Sequence, residues 1–267
     1  MQAPIPVVVR GASGRMGQAI IRLLGGCSDL RLAAALVREG SPAAGRPITK
    51  GGEVIADTAL DGSVRAGVMV DFSLATAFDR GLALAVERGL AFVSGTTGLS
   101  AGQQAALDEA ARTIPVSWSA NFSIGVTVLT QLAAQAATLL ADWDCEIIEA
   151  HHRNKKDAPS GTAIALGEAV AGARGVDLDT VAQQGRDGMS DGPRDPAAIG
   201  FAAIRGGDIV GEHTLLFAGT GERVELRHVA TDRDVFARGA LAAATRIAAL
   251  PPGRYAFGEL IGERGRR

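Results

Sequence analysis

The first 120 residues alternate short apolar runs with longer segments of helical periodicity. This alternation is typical of βαβ units, in which parallel strands lie buried between helices. The pattern therefore predicts an α/β fold with a mostly parallel sheet. The predicted strands cover 7–9, 32–36, 68–72, 90–93 and 116–118, and the predicted helices lie near 15–25, 75–88 and 101–112.

The pattern changes after residue 121, where a second α/β region begins. Residues 175–198 are rich in Gly, Asp and Pro, which favours a loop. The other predicted elements are a helix over 124–142, a strand over 145–149, a helix from about 162 to 173, strands over 199–205, 209–218 and 223–230, and an alanine-rich helix over 234–249.

Composition and charge exclude several classes of protein. The 267 residues carry a formal net charge of −2 and no block of Lys or Arg, so we expect no nucleic-acid partner. The two cysteines are too few for a disulfide framework or a zinc site, and we expect no metal. The most apolar helix, 124–142, is short and interrupted by Thr and Gln, so we expect no membrane span. Because a strand pattern begins almost at Met1, we expect no leader peptide and a cytoplasmic location.

A glycine-rich turn, GASGRMG from Gly11 to Gly17, joins the first predicted strand to the first predicted helix. Glycines at such a junction let backbone amides and the positive end of the helix dipole approach a pyrophosphate closely. The GxxGxxG spacing alone also fits a purely structural turn. Its position at the first βα junction favours a nicotinamide dinucleotide, NADPH or NADH.

The end of the second predicted strand bears on the choice of cofactor. An acidic residue there usually holds the adenosine ribose, but this chain has Val37 at that place, followed by Arg38. A guanidinium suits a 2′-phosphate, so we predict that both cofactors are accepted and that NADPH is preferred. The alternative is that Arg38 is only a solvated loop charge.

The segment EAHHRNKKDAPSGT, residues 149–162, contains two of the four histidines, His151 and His152. Adjacent histidines on a strand point to opposite faces, which disfavours a shared metal ion. Nucleophilic catalysis by Ser160 stays possible, although the Gly-x-Ser-x-Gly pattern of a hydrolase nucleophile is absent around it. The spacing of a Walker phosphate loop is absent as well.

The same segment favours an anion-binding acid site. Ser160, Gly161 and Thr162 open a predicted helix, so their amides can face a carboxylate. Lys155 and Lys156 can pair with a second carboxylate or donate a proton, and a neighbouring imidazole can act as an acid. Hydride addition to a polarised C=C or C=N bond leaves an anion to protonate, and this segment supplies donors. The alternative is that its charges solvate a loop while one histidine packs internally.

Several motifs, in order, give the chain a family resemblance. They are GASGRMG (11–17), SGTTG (94–98), SANFSIGV (119–126), EIIEAHHR (146–153), Lys155 with DAPSGTA (157–163), and GDIVGEHT (207–214). Over nearly the whole chain they resemble the 4-hydroxy-tetrahydrodipicolinate reductase (dihydrodipicolinate reductase) family of diaminopimelate and lysine biosynthesis. The resemblance implies hydride transfer from NAD(P)H to a cyclic dicarboxylate, giving tetrahydrodipicolinate.

The resemblance also implies roles for individual residues. His151 would be the catalytic proton donor or acceptor, and Lys155 a second proton donor. The residues implied for substrate binding are His152, Ser160, Gly161 and Thr162. The residues implied for the dinucleotide site are Gly11, Ala12, Ser13, Gly14, Arg15, Met16, Gly95, Thr96, Thr97, Ser119, Ala120, Asn121 and Phe122, to which we add Val37 and Arg38.

The implied family fold is a Rossmann-like dinucleotide-binding domain with a second α/β domain, whose open mixed sheet builds a homotetramer. We place the first domain at 1–122, with 232–267 returning to it, and the substrate-binding and oligomerisation domain at 123–231.

Two residues depart from expectation. Family members often carry Glu at the Val37 position, and Arg10 is bulkier and more polar than the small residue expected at the end of the first strand.

Two other functions remain open at this point. A dehydrogenase of another small amino or carboxylic acid would keep the glycine loop but would not require the helix opening at 159–162. A dinucleotide-binding sensor without catalysis would not need His151 and Lys155.

Overall fold

The chain folds as two units. The structure, a computed structural model, describes residues 3–49, 51–52, 54–62, 64, 67–189 and 192–262. One unit contains the chain up to Ile124 and again from Asp234, and the other contains Gly125–Arg233. The chain therefore leaves the first unit once and later returns to it.

The described residues form strands and helices in the following order. The strands are β1 (Ile5–Arg10), β2 (Leu30–Leu36), β3 (Ala56–Asp57), β4 (Val68–Asp71), β5 (Ala91–Ser94), β6 (Pro115–Trp118), β7 (Asp144–His151), β8 (Ala182–Gln184), β9 (Ile199–Arg205), β10 (Gly211–Ala218), β11 (Arg223–Ala230) and β12 (Gly253–Arg254). The helices are α1 (Arg15–Leu24), α2 (Ala75–Arg88), α3 (Ala101–Ala110), α4 (Ile124–Leu139), α5 (Gly161–Arg174), α6 (Leu178–Val181), α7 (Asp234–Ile247) and α8 (Phe257–Gly262).

The first unit is a doubly wound parallel sheet. Its strand order is β12-β6-β5-β4-β1-β2-β3, and the strand pairs are all parallel. Val7, Val8 and Val9 on β1 are fully buried, because helices cover both faces of the sheet. Helices α1 and α7 pack on one face, and α2 and α3 pack on the other. From β1 the chain continues to β2 and β3 at one edge of the sheet, and from β4 it continues to β5 and β6 towards the other edge. The switch point of the sheet therefore lies between β1 and β4.

The second unit contains a mixed five-stranded sheet in the order β11-β10-β7-β9-β8. Its core lies between one face of this sheet and helices α4 and α5, with Ile147 and Leu166 fully buried there. The other face carries Ile204 and Val229, which are 52% and 44% exposed. The predicted fold class, a Rossmann-like domain with a second α/β domain and an open mixed sheet, is confirmed.

Most predicted elements are confirmed, and Ser100 and Gln103 form a reciprocal capping box at the start of α3. The prediction of a continuous loop over 175–198 is wrong, because α6 and β8 lie within it. Asp177 caps α6 through a hydrogen bond from the Asp179 amide at 3.0 Å. Strand β8 exists only through parallel pairing with β9, which no local pattern reveals. The short strands β3 and β12 are absent from the sequence prediction for the same reason, and the six-residue helix α8 is absent from it as well.

Candidate active site

The first unit places the glycine turn at the switch point of its sheet. In doubly wound sheets a dinucleotide binds in the crevice at the carboxyl ends of the strands at this point. Gly11 follows β1 with a φ of 76°, and a Cβ there would lie 2.6 Å from the Phe72 carbonyl oxygen. A Cβ on Gly17 would overlap the Gly11 carbonyl oxygen. Both positions therefore require glycine, and α1 packs closely against the turn.

The N-terminus of α1 fits an anion. Its N-cap is Gly14, so no side chain caps the first-turn amides. Ser13, Gly14 and Arg15 are exposed, Met16 is half-buried and Ala12 is buried. Exposed amides and the helix dipole both favour negative charge, so this turn suits the pyrophosphate of a dinucleotide.

Val37 and Arg38 lie just beyond the end of β2. The Val37 side chain is buried in the core, and its amide donates to the Asp57 carbonyl at 2.8 Å. Arg38 is exposed. The next residue, Glu39, forms an exposed ion pair with Arg80 at 2.9 Å. A buried valine thus occupies the expected position of the carboxylate, with an exposed guanidinium after it.

A buried charged network lies at the carboxyl ends of β1, β4 and β5. Asp71 is fully buried, and its Oδ1 accepts a hydrogen bond from Arg10 Nη1 at 2.9 Å. Its Oδ2 accepts from Ser94 Oγ at 3.2 Å and from Thr96 Oγ1 at 2.8 Å. Arg10 Nη1 also donates to Ser73 Oγ at 2.7 Å. This explains Arg10, which pairs with a buried carboxylate that fixes the start of the segment after β5.

The remaining residues predicted for the dinucleotide site lie in the segments that follow β5 and β6. A Cβ on Gly95 would overlap the Phe72 ring, and Thr97 is exposed. Ala120 is exposed, while Ser119 and Asn121 are half-buried and joined by a 2.7 Å bond from Ser119 Oγ to the Asn121 carbonyl.

Two residues of the predicted dinucleotide site have side chains that are used inside the protein. The Thr96 hydroxyl binds Asp71, and the Phe122 ring is 1% exposed and packs 4.8 Å from the Phe257 ring, centroid to centroid.

Strand register in the second unit brings five polar side chains onto one face of the sheet. Glu149 and His151 are two residues apart on β7 and point the same way. Arg205 on β9 lies opposite His151 in the strand pairing, and His213 on β10 lies opposite Glu149. His228 on β11 lies opposite His213. These residues are distant in sequence, and only the pairing of four strands assembles them.

Glu149 is the centre of this cluster and is 1% exposed. Its Oε2 lies 2.6 Å from His151 Nδ1, and Arg205 donates to both carboxylate oxygens at 2.7 and 2.8 Å. The Ser160 amide donates to Oε1 at 3.0 Å. Burial raises the pKa of Glu149, but the hydrogen bonds from Arg205 and His151 outweigh it and hold the pKa below its ordinary value. Glu149 is therefore ionised near neutral pH.

His151 offers its second nitrogen for proton transfer. Because the Glu149 carboxylate can only accept, Nδ1 carries the shared hydrogen and Nε2 gains or loses a proton. Nε2 lies 3.2 Å from the place where a Cβ on Gly211 would stand, so glycine leaves room beside it. Burial lowers the pKa of His151, the bond to Glu149 opposes this, and the charges of Lys155 and Arg205 lower the pKa further.

Helix α5 begins beside this cluster. Its N-cap is Ser160, whose Oγ accepts from the Ala163 amide at 3.2 Å and lies 3.2 Å from His213 Nε2. Burial lowers the pKa of His213 to about 4, so the imidazole is neutral near pH 7. The Ser160 hydroxyl is thus used within the protein. Gly161, the first helical residue, is exposed, with nothing within 4 Å of a Cβ built on it, and Thr162 is half-buried.

The loop between β7 and α5 carries the other predicted polar groups. Lys155 Nζ lies 2.9 and 2.8 Å from the two Asp157 carboxylate oxygens, and the hydrogen bond lowers the pKa of Asp157. His152 is half-buried, and its Nδ1 has no hydrogen-bond partner in the part of the chain that the structure describes. The structure therefore keeps an ammonium group close enough to His151 to act on its pKa.

Within the ranges described, His, Cys, Asp and Glu side chains form no group of three or more that could hold a metal ion. Over the same ranges, each helix is too short or too polar to cross a membrane.

Family models cover both units of the chain. The model described as "Dihydrodipicolinate reductase, N-terminus" matches residues 5–122, and the one described as "Dihydrodipicolinate reductase, C-terminus" matches residues 125–261. The chain belongs to the dihydrodipicolinate reductase family. The predicted family is confirmed, and with it the predicted class of NAD(P)H-dependent oxidoreductase.

Individual relatives agree with this family membership. A 4-hydroxy-tetrahydrodipicolinate reductase of Xanthomonas campestris pv. campestris is 48% identical over 97% of this chain and 98% of its own length. The 4-hydroxy-tetrahydrodipicolinate reductase of Ruegeria pomeroyi is 47% identical over 96% of this chain and 97% of its own length. A dipicolinate-bound dihydrodipicolinate reductase from Paenisporosarcina sp. TG-14 shares the fold, with a TM-score of 0.79, 24% identity and coverage of 97% and 99%.

Three polar partners in the second unit are absent from the sequence prediction. Glu149 could have been found, because a charged residue two positions before His151 on one strand must share its face. Arg205 and His213 carry no such local signal, since their place beside His151 and Glu149 depends on strand register.

Proposed function

We propose that this chain is a 4-hydroxy-tetrahydrodipicolinate reductase, which uses NADPH or NADH to form tetrahydrodipicolinate in diaminopimelate and lysine biosynthesis. Residues 1–122 with 232–267 bind the dinucleotide, and residues 123–231 bind the substrate. The observation that carries the proposal is the 2.6 Å contact between His151 and a buried, ionised Glu149 beside the opening of α5. It joins a proton donor to an anion-binding helix terminus, which a reductase of a cyclic dicarboxylate needs.

The chain's own residues have separate tasks in this reaction. A bound nicotinamide would supply the hydride, and the 4-hydroxyl group of the substrate leaves as water. The amides and dipole at the opening of α5, at Gly161 and Thr162, hold one substrate carboxylate. The Lys155 ammonium and His152 contact the rest of the dicarboxylate. His151 holds at Nε2 the proton that the reduced substrate takes up, and Lys155 serves as a second donor.

The proposal includes an assembly and a location. The homotetramer forms through the open face of the mixed sheet, and the exposed Ile204 and Val229 on that face support this. The cytoplasmic location is supported by Cys27 and Cys145, which are both free thiols. Light scattering of the purified protein measures the assembly directly.

A coupled assay tests the function. The product of dihydrodipicolinate synthase is added to the protein with NADPH, and absorbance at the nicotinamide band is followed. Rapid loss of absorbance is expected. Cofactor binding without turnover would indicate a sensor, and turnover only with another small amino or carboxylic acid would indicate a different dehydrogenase.

Replacing Thr162 with valine should raise the Michaelis constant for the dicarboxylate. The hydroxyl holds ground state and transition state alike, so the expected loss is roughly 1–3 kcal/mol in kcat/KM with little change in kcat. Thr138→Val is a matched control, because Thr138 is an exposed residue of α4 whose hydroxyl binds only its own helix. An unchanged Michaelis constant would remove Thr162 from the substrate site.

The Arg38 side chain should favour NADPH over NADH. Its guanidinium can pair with the 2′-phosphate, and the buried Val37 neither accepts ribose hydrogen bonds nor repels that phosphate. Arg38→Ala should therefore weaken NADPH alone, and Val37→Glu should shift preference towards NADH. Arg112→Ala, which removes an exposed cation that pairs with Glu109, should leave the ratio unchanged. Side-by-side kinetics showing an NADH preference in the unmodified protein would overturn the argument.

A further inference from the structure

The Glu149 carboxylate joins two parts of the candidate site. Through Oε2 it contacts His151, and through Oε1 it accepts the amide of Ser160, the N-cap of α5. The same carboxylate therefore fixes the imidazole and the start of the helix that holds the substrate. Arg205 binds both oxygens, so the carboxylate has little freedom to turn.

A purely structural ion pair lies on the same strand for comparison. Arg186 donates to Glu146 at 2.8 and 3.0 Å, also through both carboxylate oxygens. Glu146 and Glu149 are three positions apart on β7 and point to opposite faces. Glu146 has Arg194 as a further partner, and within the part of the chain that the structure describes it makes no hydrogen bond to a histidine. What distinguishes Glu149 is its hydrogen bond to the imidazole.

We propose that Glu149 and Arg205 are positioning residues that together fix the orientation of His151 and the proton occupancy of its Nε2. This inference rests on the proposed function, in which His151 delivers the proton. Glu149 keeps the hydrogen on Nδ1, so that Nε2 faces the reacting carbon or nitrogen. Arg205 limits how strongly the carboxylate attracts that proton, since its charge offsets that of Glu149.

The charges around His151 predict opposite effects for the two residues. Glu149 on β7 favours the imidazolium, whereas Arg205 on β9 and Lys155 on the following loop disfavour it. His213 on β10, whose ring centroid is 5.2 Å from that of His151, is neutral near pH 7. Removing Glu149 should lower the pKa of His151, and removing Arg205 should raise it.

The experiment is an NMR titration of the imidazole signals together with a pH profile of kcat. The chain has four histidines, so the His151 signal is assigned by its loss in His151→Gln. In Glu149→Gln we expect the titration of His151 to move to lower pH. The pH above which kcat falls should move to lower pH as well. In Arg205→Gln both should move to higher pH. Glu149→Gln should also lower kcat by roughly 10- to 100-fold, a part of what general acid catalysis contributes.

Controls separate positioning from folding. Glu149→Asp keeps the charge and Arg205→Lys keeps the cation, so both should titrate close to the unmodified protein. Arg186→Gln removes the comparable ion pair with Glu146 on β7 and should leave the pH of the His151 titration unchanged. If Glu149→Gln fails to fold, as thermal unfolding would show, the Arg205 variants still test the proposal.

Two results would overturn the inference. They are shifts of the same sign in Glu149→Gln and Arg205→Gln, or an unmoved His151 titration in both. Failure of the proposed function looks different, because the unmodified protein would then not turn over the synthase product, whatever the titrations show.

Discussion

Replacing His151 with glutamine should lower kcat by about a hundredfold to ten-thousandfold, the usual contribution of general acid catalysis. Glutamine cannot carry a transferable proton at the place of Nε2. Because the candidate dinucleotide site is built from other residues, the dissociation constant for NADPH should stay close to that of the unmodified protein. Stopped-flow turnover and fluorescence titration of the cofactor measure the two quantities separately.

Lys155→Ala should have an effect of the same order, since the ammonium both holds the substrate and can donate a proton. Arg223→Ala serves as the control, because it removes an exposed cation of the same unit that pairs with Glu225. Near-normal kcat in His151→Gln or in Lys155→Ala would remove that residue from the catalytic role.

Replacing Arg10 with methionine should destabilise the first unit by about 3–5 kcal/mol, because it leaves the buried Asp71 carboxylate without its cation. Asp71 and Arg10 side chains are 0% and 13% exposed, so solvent replaces little of the lost interaction. The double variant Arg10→Met/Asp71→Asn should recover most of the loss, since no buried charge remains.

Tryptophan fluorescence can follow this unfolding in the intact protein. The chain has two tryptophans, and Trp118 Nε1 donates to the Thr96 carbonyl at 2.8 Å, next to the Asp71 network. In a Trp143→Phe background, Trp118 reports denaturant unfolding of the first unit alone. Arg80→Gln, which breaks an exposed pair with Glu39, should change little. A similarly small change in Arg10→Met would contradict the argument.

Sequence pattern predicted most of the fold because its elements bury apolar side chains in a regular way. Strand β1, whose central residues Val7–Val9 are buried, and the long α4 are both predicted from such patterns. The short strands β3, β8 and β12 are different. They have two or three residues each, and each forms by pairing with another strand outside its own local sequence.

For the candidate site, the sequence indicated which kinds of chemical group are present. It did not indicate which of those groups contact one another. The histidines, Lys155 and the start of α5 form one continuous segment, so their proximity follows from the chain itself. Ser160 was predicted to bind substrate, and that stays a prediction. The sequence does not reveal that the Ser160 hydroxyl caps α5 and lies 3.2 Å from His213 Nε2.

The sequence by itself determined the alternating α/β order, the glycine turn before α1, the acid-and-cation segment before α5 and the family, because each is carried by neighbouring residues. Only the tertiary structure decided which charges meet. Arg10 pairs with Asp71 across 61 positions, and Arg205 pairs with Glu149 across 56. The physical reason is that a buried ion needs a partner, and strand register, which depends on the packing of the whole sheet, determines which residue stands beside it.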